Sequence, residues 1–232
     1  MPDGDDGFYV NWASPVSYDA CLAECPPFHK AEPPATYCVK QPRYEDYIAR
    51  DLIAHVDATY RTVPDRKARA LIGLSMGGYG ALLLAMRHKD VFSATASHSG
   101  LVSLLYGGPH PYAPGKAGPV ASIASWGADY QAPMRDHMRR IFGGDLSAWR
   151  ARDPSILAES ISPGDLSIHI DCGMQDGFKF QDQALHLHDV LEARQVPHAF
   201  ALVPGPHDFS LWKVRIRESL AFHADHFRRA RL

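Results

Sequence analysis

From Tyr44 onward the apolar positions Tyr44, Ile48, Leu52, Val56 and Tyr60 recur every four residues, with Tyr47 and Ile53 beside them. That stripe predicts a helix that ends before Pro64 and packs one face on a sheet. Ala68 to Leu74 reads as a short buried strand, the run Gly73-Leu74-Ser75-Met76-Gly77-Gly78 as a tight turn, and Tyr79 to about Lys89 as a helix. Ser93 to His98 is the next strand, closed by Ser99 and Gly100. Leu166, Ile168 and Ile170 alternate with polar residues before Cys172-Gly173, which predicts a strand ending in a turn. A helix from Asp182 to Arg194, a strand from Ala199 to Val203 and an amphipathic helix from Phe209 to about Arg229 complete the pattern.

Two stretches resist it. Residues 1–43 carry Pro2, Pro15, Pro26, Pro27, Pro33, Pro34 and Pro42, which forbid a long regular element, so a long loop is expected. Leu101 to about Pro163 is rich in Gly, Pro and Trp and interrupts the alternation, and it reads as a cap-like insertion (101–163) above the sheet. Strands alternating with helices predict an α/β protein with a mostly parallel, doubly wound sheet covered on both faces. There is no internal repeat.

Length and composition fit one domain over 1–232: 232 residues, 46% hydrophobic and 22% charged, enough to bury a real core and unlike a disordered or fibrous chain. The formal charge of -2 supplies no basic field for nucleic acid or an anionic membrane surface. The longest apolar run, Ala81 to Met86, is far short of the roughly 20 residues that cross a bilayer, so no membrane span is expected. The opening Met-Pro-Asp-Gly-Asp-Asp-Gly has neither a basic nor an apolar leader region. This leaves two expectations open, a cytoplasmic protein or one whose true start lies upstream. Three of the four cysteines, Cys21, Cys25 and Cys38, crowd one Pro-rich segment and form no pair of C-x-x-C motifs, which speaks against structural zinc. A disulfide among them would suit an extracytoplasmic protein and free thiols a cytosolic one.

The chemistry gathers at three places. Gly73-Leu74-Ser75-Met76-Gly77 fits G-x-S-x-G, a sharp strand-to-helix turn that thrusts a serine hydroxyl above a sheet. Gly73 and Gly77 are expected there because side chains two before and two after the serine would collide with adjacent strands. The alternative is a glycine-rich turn that only joins a strand to a helix. A helix starting behind Ser75 offers free N–H groups, with that of Met76 a donor to a developing oxyanion.

Serine needs a base, and histidine is the side chain suited to it near neutral pH. Of thirteen histidines, His186 and His188 point to different faces of one helix, and His223 and His226 lie on the outer terminal helix, so all four read as solvated. His207, in Pro204-Gly205-Pro206-His207-Asp208 directly after a predicted strand, falls at the carboxyl edge where Ser75 sits. Asp176, after the strand ending near Cys172, is the candidate to orient it; Asp171 is the rival inside that strand, and Asp182 reads as a helix N-cap. No H-E-x-x-H or Walker pattern occurs, and Gly77-Gly78-Tyr79-Gly80 precedes no Lys-Ser or Lys-Thr pair, so no metal or other cofactor is expected.

The run Gly73 to Leu82 resembles the esterase D-like "putative esterase" family of α/β-hydrolases, the tributyrin esterase, S-formylglutathione hydrolase, feruloyl esterase and mycolyltransferase group. Asp3-Gly4, Phe8 to Asn11, Asp153-Pro154, Cys172 to Asp176 and Pro204 through Trp212 resemble the family's landmarks in the same order, over essentially the whole chain. The resemblance implies an α/β-hydrolase fold with Ser75, His207 and Asp176 as nucleophile, base and acid. It implies a small-molecule ester substrate, hydrolysed through an acyl-enzyme as a short-chain or aryl ester. Acyl transfer to a sugar or thiol, S-formylglutathione hydrolysis, and a catalytically weakened binding module are the alternatives.

Two departures carry expectations of their own. Family members begin with further residues that supply the first strands and a His-Gly loop donating the second oxyanion N–H, whereas Pro2-Asp3-Gly4 already resembles the segment after them. A missing donor costs about 10²- to 10³-fold in rate and absent strands bare a sheet edge, so a homo-oligomer, a substitute backbone donor or poor turnover is expected. The Cys-bearing stretch Ser14 to Gln41 is similar in place to a loop of the secreted mycolyltransferases, which implies a disulfide. Leu74 stands where the S-formylglutathione hydrolases carry histidine, which favours a simple carboxylic ester. Leu104, Leu105, Tyr106, Tyr112, Trp126, Tyr130 and Trp149 could line an acyl site or form the insertion's own core. Trp212 could shield His207 or pack on the sheet.

Overall fold

The structure, a computed structural model, describes residues 7–13, 42–126 and 132–230. Cys21, Cys25, Cys38 and Tyr130 lie outside them. Four parallel strands, β1 (Ala70–Leu74), β2 (Ala94–His98), β3 (Ser167–Gln175) and β4 (His198–Pro206), stand side by side in chain order. Each crossover carries helix: α2 (Met76–Arg87) between β1 and β2; α3 (Ala132–Phe142), α4 (Leu146–Arg150) and α5 (Pro154–Ala158) between β2 and β3; α6 (Phe180–Ala193) between β3 and β4. Helix α7 (Phe209–Arg229) closes the chain, and α1 (44–59) precedes the sheet. This is the α/β-hydrolase fold, with parallel strands because every connection is long enough to return to the same edge.

The expected helix after Tyr44 forms, as α-helix over Tyr44–Asp46, π-helix over Tyr47–Leu52 and α-helix again over Ile53–Thr59, together α1. Its apolar stripe is only half covered, with Tyr47 and Leu52 exposed and Ile48 facing an apolar groove of about 410 Å³ beside β1. The docking contact is polar: buried Glu45 accepts from Arg87 Nε (2.8 Å) and lies 2.9 Å from His88 Nε2 at the end of α2. Among the described residues nothing pairs with the outer edge of β1.

Helix α2 is buried from Gly78 to Met86, the reason its sequence is apolar all round instead of striped. Segment 101–163 contributes its own core: Trp149 is buried in ring contact with Trp126 and Phe142, and Leu104 and Leu105 join the same cluster. Asp153 ties this segment together, accepting from Leu105 N–H (2.7 Å) and capping α5 through Ser155 N–H (2.9 Å). Strands β3 and β4 run past the expected ends at Cys172 and Val203, because pairing continues through Gly173–Val203 to Gln175–Pro206. Helix α6 starts at Phe180, so Asp182 is no N-cap; it lies in the first turn and accepts from Tyr112 N–H (2.9 Å) and His110 Nδ1.

The solvated reading of His223 and His226 is corrected. Trp212, Arg215, Ser219, His223 and His226 follow one another at three- or four-residue steps along α7, and this polar row faces the sheet. His226 lies 2.8 Å from both Ser93 Oγ and Ser167 Oγ. His223 is 6% exposed, and neither ring nitrogen has a hydrogen-bond partner of normal geometry. Burial, with the neighbouring His226 and His169, lowers its pKa to about 4 against only slight help from the Leu71 carbonyl.

That shift gives a stability prediction. An unfolded His223 takes up its proton near pH 6.5 and the folded one only near 4, so between those values the unfolded chain binds more protons and acid favours unfolding. Stability held above pH 6.5 is therefore lost towards pH 4, on the order of 3 kcal/mol or roughly 6–12 °C in Tm. A His223→Gln variant, unable to gain that proton, should show a flatter Tm–pH curve by scanning calorimetry; an equal slope in both proteins would contradict the assignment.

Candidate active site

Ser75 sits between β1 and α2 with φ +52° and ψ −121°, a strained conformation held by Ser75 N–H donating to the His98 carbonyl (2.8 Å). The expected steric roles of the glycines divide unequally. A Cβ on Gly73 would fall 2.1 Å from the Gly77 carbonyl oxygen, inside the turn itself, whereas one on Gly77 would meet only the Tyr9 hydroxyl at 3.6 Å. Gly78 is the position pressed on the next strand, where a Cβ would fall 2.6 Å from Ser97 Oγ. Sequence reasoning missed Gly78, although the doubled glycine after the serine was a signal. The first helical bond of α2 runs from Tyr79 N–H to the Ser75 carbonyl, so the Met76, Gly77 and Gly78 amides stand ahead of it as open-ended donors of the first turn.

The structure brings Ser75, His207 and Asp176 together. Ser75 Oγ lies 2.8 Å from His207 Nε2, and His207 Nδ1 lies 2.6 Å from Asp176 Oδ2. A carboxylate only accepts, so Nδ1 carries the proton and Nε2 turns a lone pair to the Ser75 hydroxyl. Asp176 follows the last residue of β3 and is 4% exposed; its other oxygen accepts from Phe178 N–H (2.9 Å). His207 follows β4, and Gly205 N–H donates to Gln175 Oε1 (2.7 Å), fastening the histidine loop to the strand end that bears Asp176. Gln175 was not foreseen from sequence.

Three rings enclose the imidazole edge-on: Trp212 at 4.8 Å, Phe178 at 4.9 Å and Phe180 at 5.4 Å between centroids. Both Trp212 alternatives hold at once, because its Nε1–H also donates to Ser99 Oγ (3.2 Å) on the sheet. The phenylalanines lie within four residues of Asp176, and that proximity was the available signal. Cys172 stands beside the site with Sγ 3.6 Å from Asp176 Oδ2. Burial first, and the Asp176 charge second, raise its thiol well above the ordinary range, so it remains protonated and donates.

Asp171 lies elsewhere. Within β3 it is buried among His98 Nδ1 (2.9 Å), His169 Nε2 (3.0 Å) and Arg215 Nε (3.1 Å), and His98 Nε2 is 2.8 Å from Ser219 Oγ. Burial opposes its charge, but the His169 and His98 hydrogen bonds and the Arg215 cation outweigh it and hold the carboxyl far below the usual range. The Asp171 and Asp176 side chains are thus two separate buried carboxylates, the first serving α7 and the second His207.

Next to His207, past Phe178, a cavity of about 520 Å³ is lined by Leu101, Leu104, Tyr106, Trp126, Phe178 and Lys179 among others. Leu104 and Trp126 therefore both line it and belong to the core of segment 101–163. No helix among the described residues is long and apolar enough to cross a membrane.

A family model described as "Putative esterase" matches residues 1–223. The chain is 30% identical to an S-formylglutathione hydrolase of Paracoccus denitrificans over 71% of its own length and 48% of the relative's. It is 25% identical to the mouse S-formylglutathione hydrolase over 80% and 55% of the two lengths. The chain thus spans about half the length of these curated relatives. Among solved structures, an S-formylglutathione hydrolase from Agrobacterium tumefaciens superposes with a TM-score of 0.63 at 17% identity, over 95% of this chain and 63% of the other.

Proposed function

Because this chain belongs to the "Putative esterase" family, we propose that it is a serine carboxylesterase hydrolysing short-chain or aryl carboxylic esters through an acyl-enzyme. The observation that carries the reading is the unbroken hydrogen-bond chain Ser75–His207–Asp176, at 2.8 and 2.6 Å. Ser75 Oγ attacks the ester carbonyl while His207 Nε2 takes its proton, and the same nitrogen returns it to the departing alcohol. Asp176 holds the tautomer and offsets the imidazolium charge. Met76 N–H stabilises the tetrahedral oxyanion, in line with the helix-end position of Ser75. Water, activated by the same histidine, then releases the acid.

The substrate class rests on two features. The cavity past Phe178 is walled by leucine and aromatic side chains and has the size of a small ligand site, which supports an acyl or aryl group of modest bulk. Leu74, in place of the histidine of the S-formylglutathione hydrolases, supports a carboxylic ester over a glutathione thioester.

Diisopropyl fluorophosphate tests the nucleophile directly. It should add one diisopropylphosphoryl group at Ser75, located by peptide mass spectrometry, and His207→Ala should slow the labelling by about 10³-fold or more. Modification of the folded chain at other residues while Ser75 stays unlabelled would contradict the proposal.

A further inference from the structure

At the end of β4 remote from Ser75, three metal-ligating side chains converge: His188 and Glu192, one turn apart on α6, and His198, the first residue of β4. One ligand atom from each lies within 4.8 Å of the others. The i, i+4 spacing places His188 and Glu192 on one face of the helix, and that face is turned to the start of the strand.

His198 is set as a ligand is, and His188 stands against it as its hydrogen-bond donor. His198 Nδ1–H donates to the Val196 carbonyl (2.8 Å), the backbone contact that in metal sites fixes a histidine's tautomer, and it leaves Nε2 with a lone pair. That Nε2 faces His188 Nδ1 at 2.7 Å. The His188 ring is held flat on Phe200, with centroids 4.3 Å apart and planes 8° apart. The His198 side chain is 1% exposed and Glu192 is 65% exposed, with Glu192 Oε1 4.0 Å from His198 Nδ1, so the exposed carboxylate has to swing round the ring to reach the Nε2 side. The other cluster of this kind among the described residues, His98, His169 and Asp171, already holds a cation, since Arg215 Nε lies 3.1 Å from Asp171.

We propose that His188, Glu192 and His198 form a binding site for one divalent transition cation of the zinc class, separate from the Ser75 site. Two imidazole nitrogens and one carboxylate suit zinc, cobalt or nickel and not calcium or magnesium, which take oxygen ligands. Tetrahedral bonds of 2.0–2.1 Å need the two nitrogens about 3.3 Å apart, so the rings part by roughly 0.6 Å, a small side-chain rotation. The His188 proton moves from Nδ1 to Nε2, so the ring stays neutral and Nδ1 becomes a ligand; the fourth position is left to water. His207 follows the far end of nine-residue β4, so the cation sits on the order of 25 Å from the reacting serine and acts as a staple between α6 and β4.

The test titrates the full chain with Zn²⁺ by calorimetry in a non-chelating buffer, beside His188→Ala and Glu192→Gln, so that metal held by cysteines elsewhere cancels in the comparison. The wild type should bind one equivalent more than His188→Ala, and Glu192→Gln should weaken that equivalent at least tenfold. Zn²⁺ should raise the Tm of the wild type more than that of either variant, while the metal-free Tm of Glu192→Gln matches wild type and shows that its fold is intact. Co²⁺ should give the wild type strong visible d–d bands of a low-coordinate site beyond whatever spectrum His188→Ala shows. Equal stoichiometry and affinity in all three proteins, or no saturable binding by the wild type, would overturn the site.

Discussion

Replacing Asp176 by asparagine should lower kcat/KM for p-nitrophenyl butyrate by about 10⁴-fold with the fold unchanged. An amide presents either its oxygen or its N–H₂ to His207 Nδ1. Where N–H₂ is presented, the imidazole turns its lone pair towards residue 176 and its N–H towards Ser75, the wrong tautomer for a base. Even with the oxygen presented, the carboxylate charge that offsets the imidazolium is gone. With N–H₂ towards His207 the amide oxygen still accepts from Phe178 N–H, and the three enclosing rings remain, so Tm should move little. Steady-state kinetics on a variant with native circular dichroism checks this. A loss below tenfold would remove Asp176 from the mechanism.

The second large effect is of the opposite kind. Asp171→Asn should destabilise the protein by about 3 kcal/mol, because it leaves the half-buried Arg215 cation without its charged partner. An amide keeps one acceptor oxygen where His98 bonds Oδ1 and His169 and Arg215 share Oδ2, so one side of the cluster loses its acceptor and the anchoring of α7 to β2 and β3 weakens. Urea unfolding reads the loss, and the fraction still folded should keep kcat/KM within a few-fold of wild type. A variant as stable as wild type, or one that is folded but inactive, would contradict the division of roles between the two carboxylates.

How legible this was in the sequence differs by element. The strands around Leu71, Ala96 and Ile170 and helix α2 were readable because local period and turn residues agree with their burial. The elbow was readable because Gly73 leaves no room for a Cβ, and His207 and Asp176 because each directly follows a strand. Helix α7 misled on one point. Its amphipathic pattern suggests that polar residues face water, yet Ser219, His223 and His226 lie on the inward side among polar groups of β2 and β3. Such a face is satisfied by partners distant in sequence, and no periodicity within α7 announces them. The extensions of β3 and β4 were hidden for the same reason, since Gly173, Pro204 and Gly205 discourage a strand locally and cross-strand pairing overrides them. Helices α3 to α5 lay unseen in segment 101–163, where α4 and α5 have five residues each and Gly143-Gly144 and Pro154 mark the breaks between the three.

The central claim is that the hydroxyl of Ser75, activated by His207, performs ester hydrolysis in this chain. Hydrolysis of p-nitrophenyl acetate and butyrate should be measured for the 232-residue protein and its Ser75→Ala variant, both shown to be folded by circular dichroism. The account predicts saturable turnover by the wild type and a fall to background, on the order of 10³-fold or more, in the variant. Equal rates in the two folded proteins would contradict it.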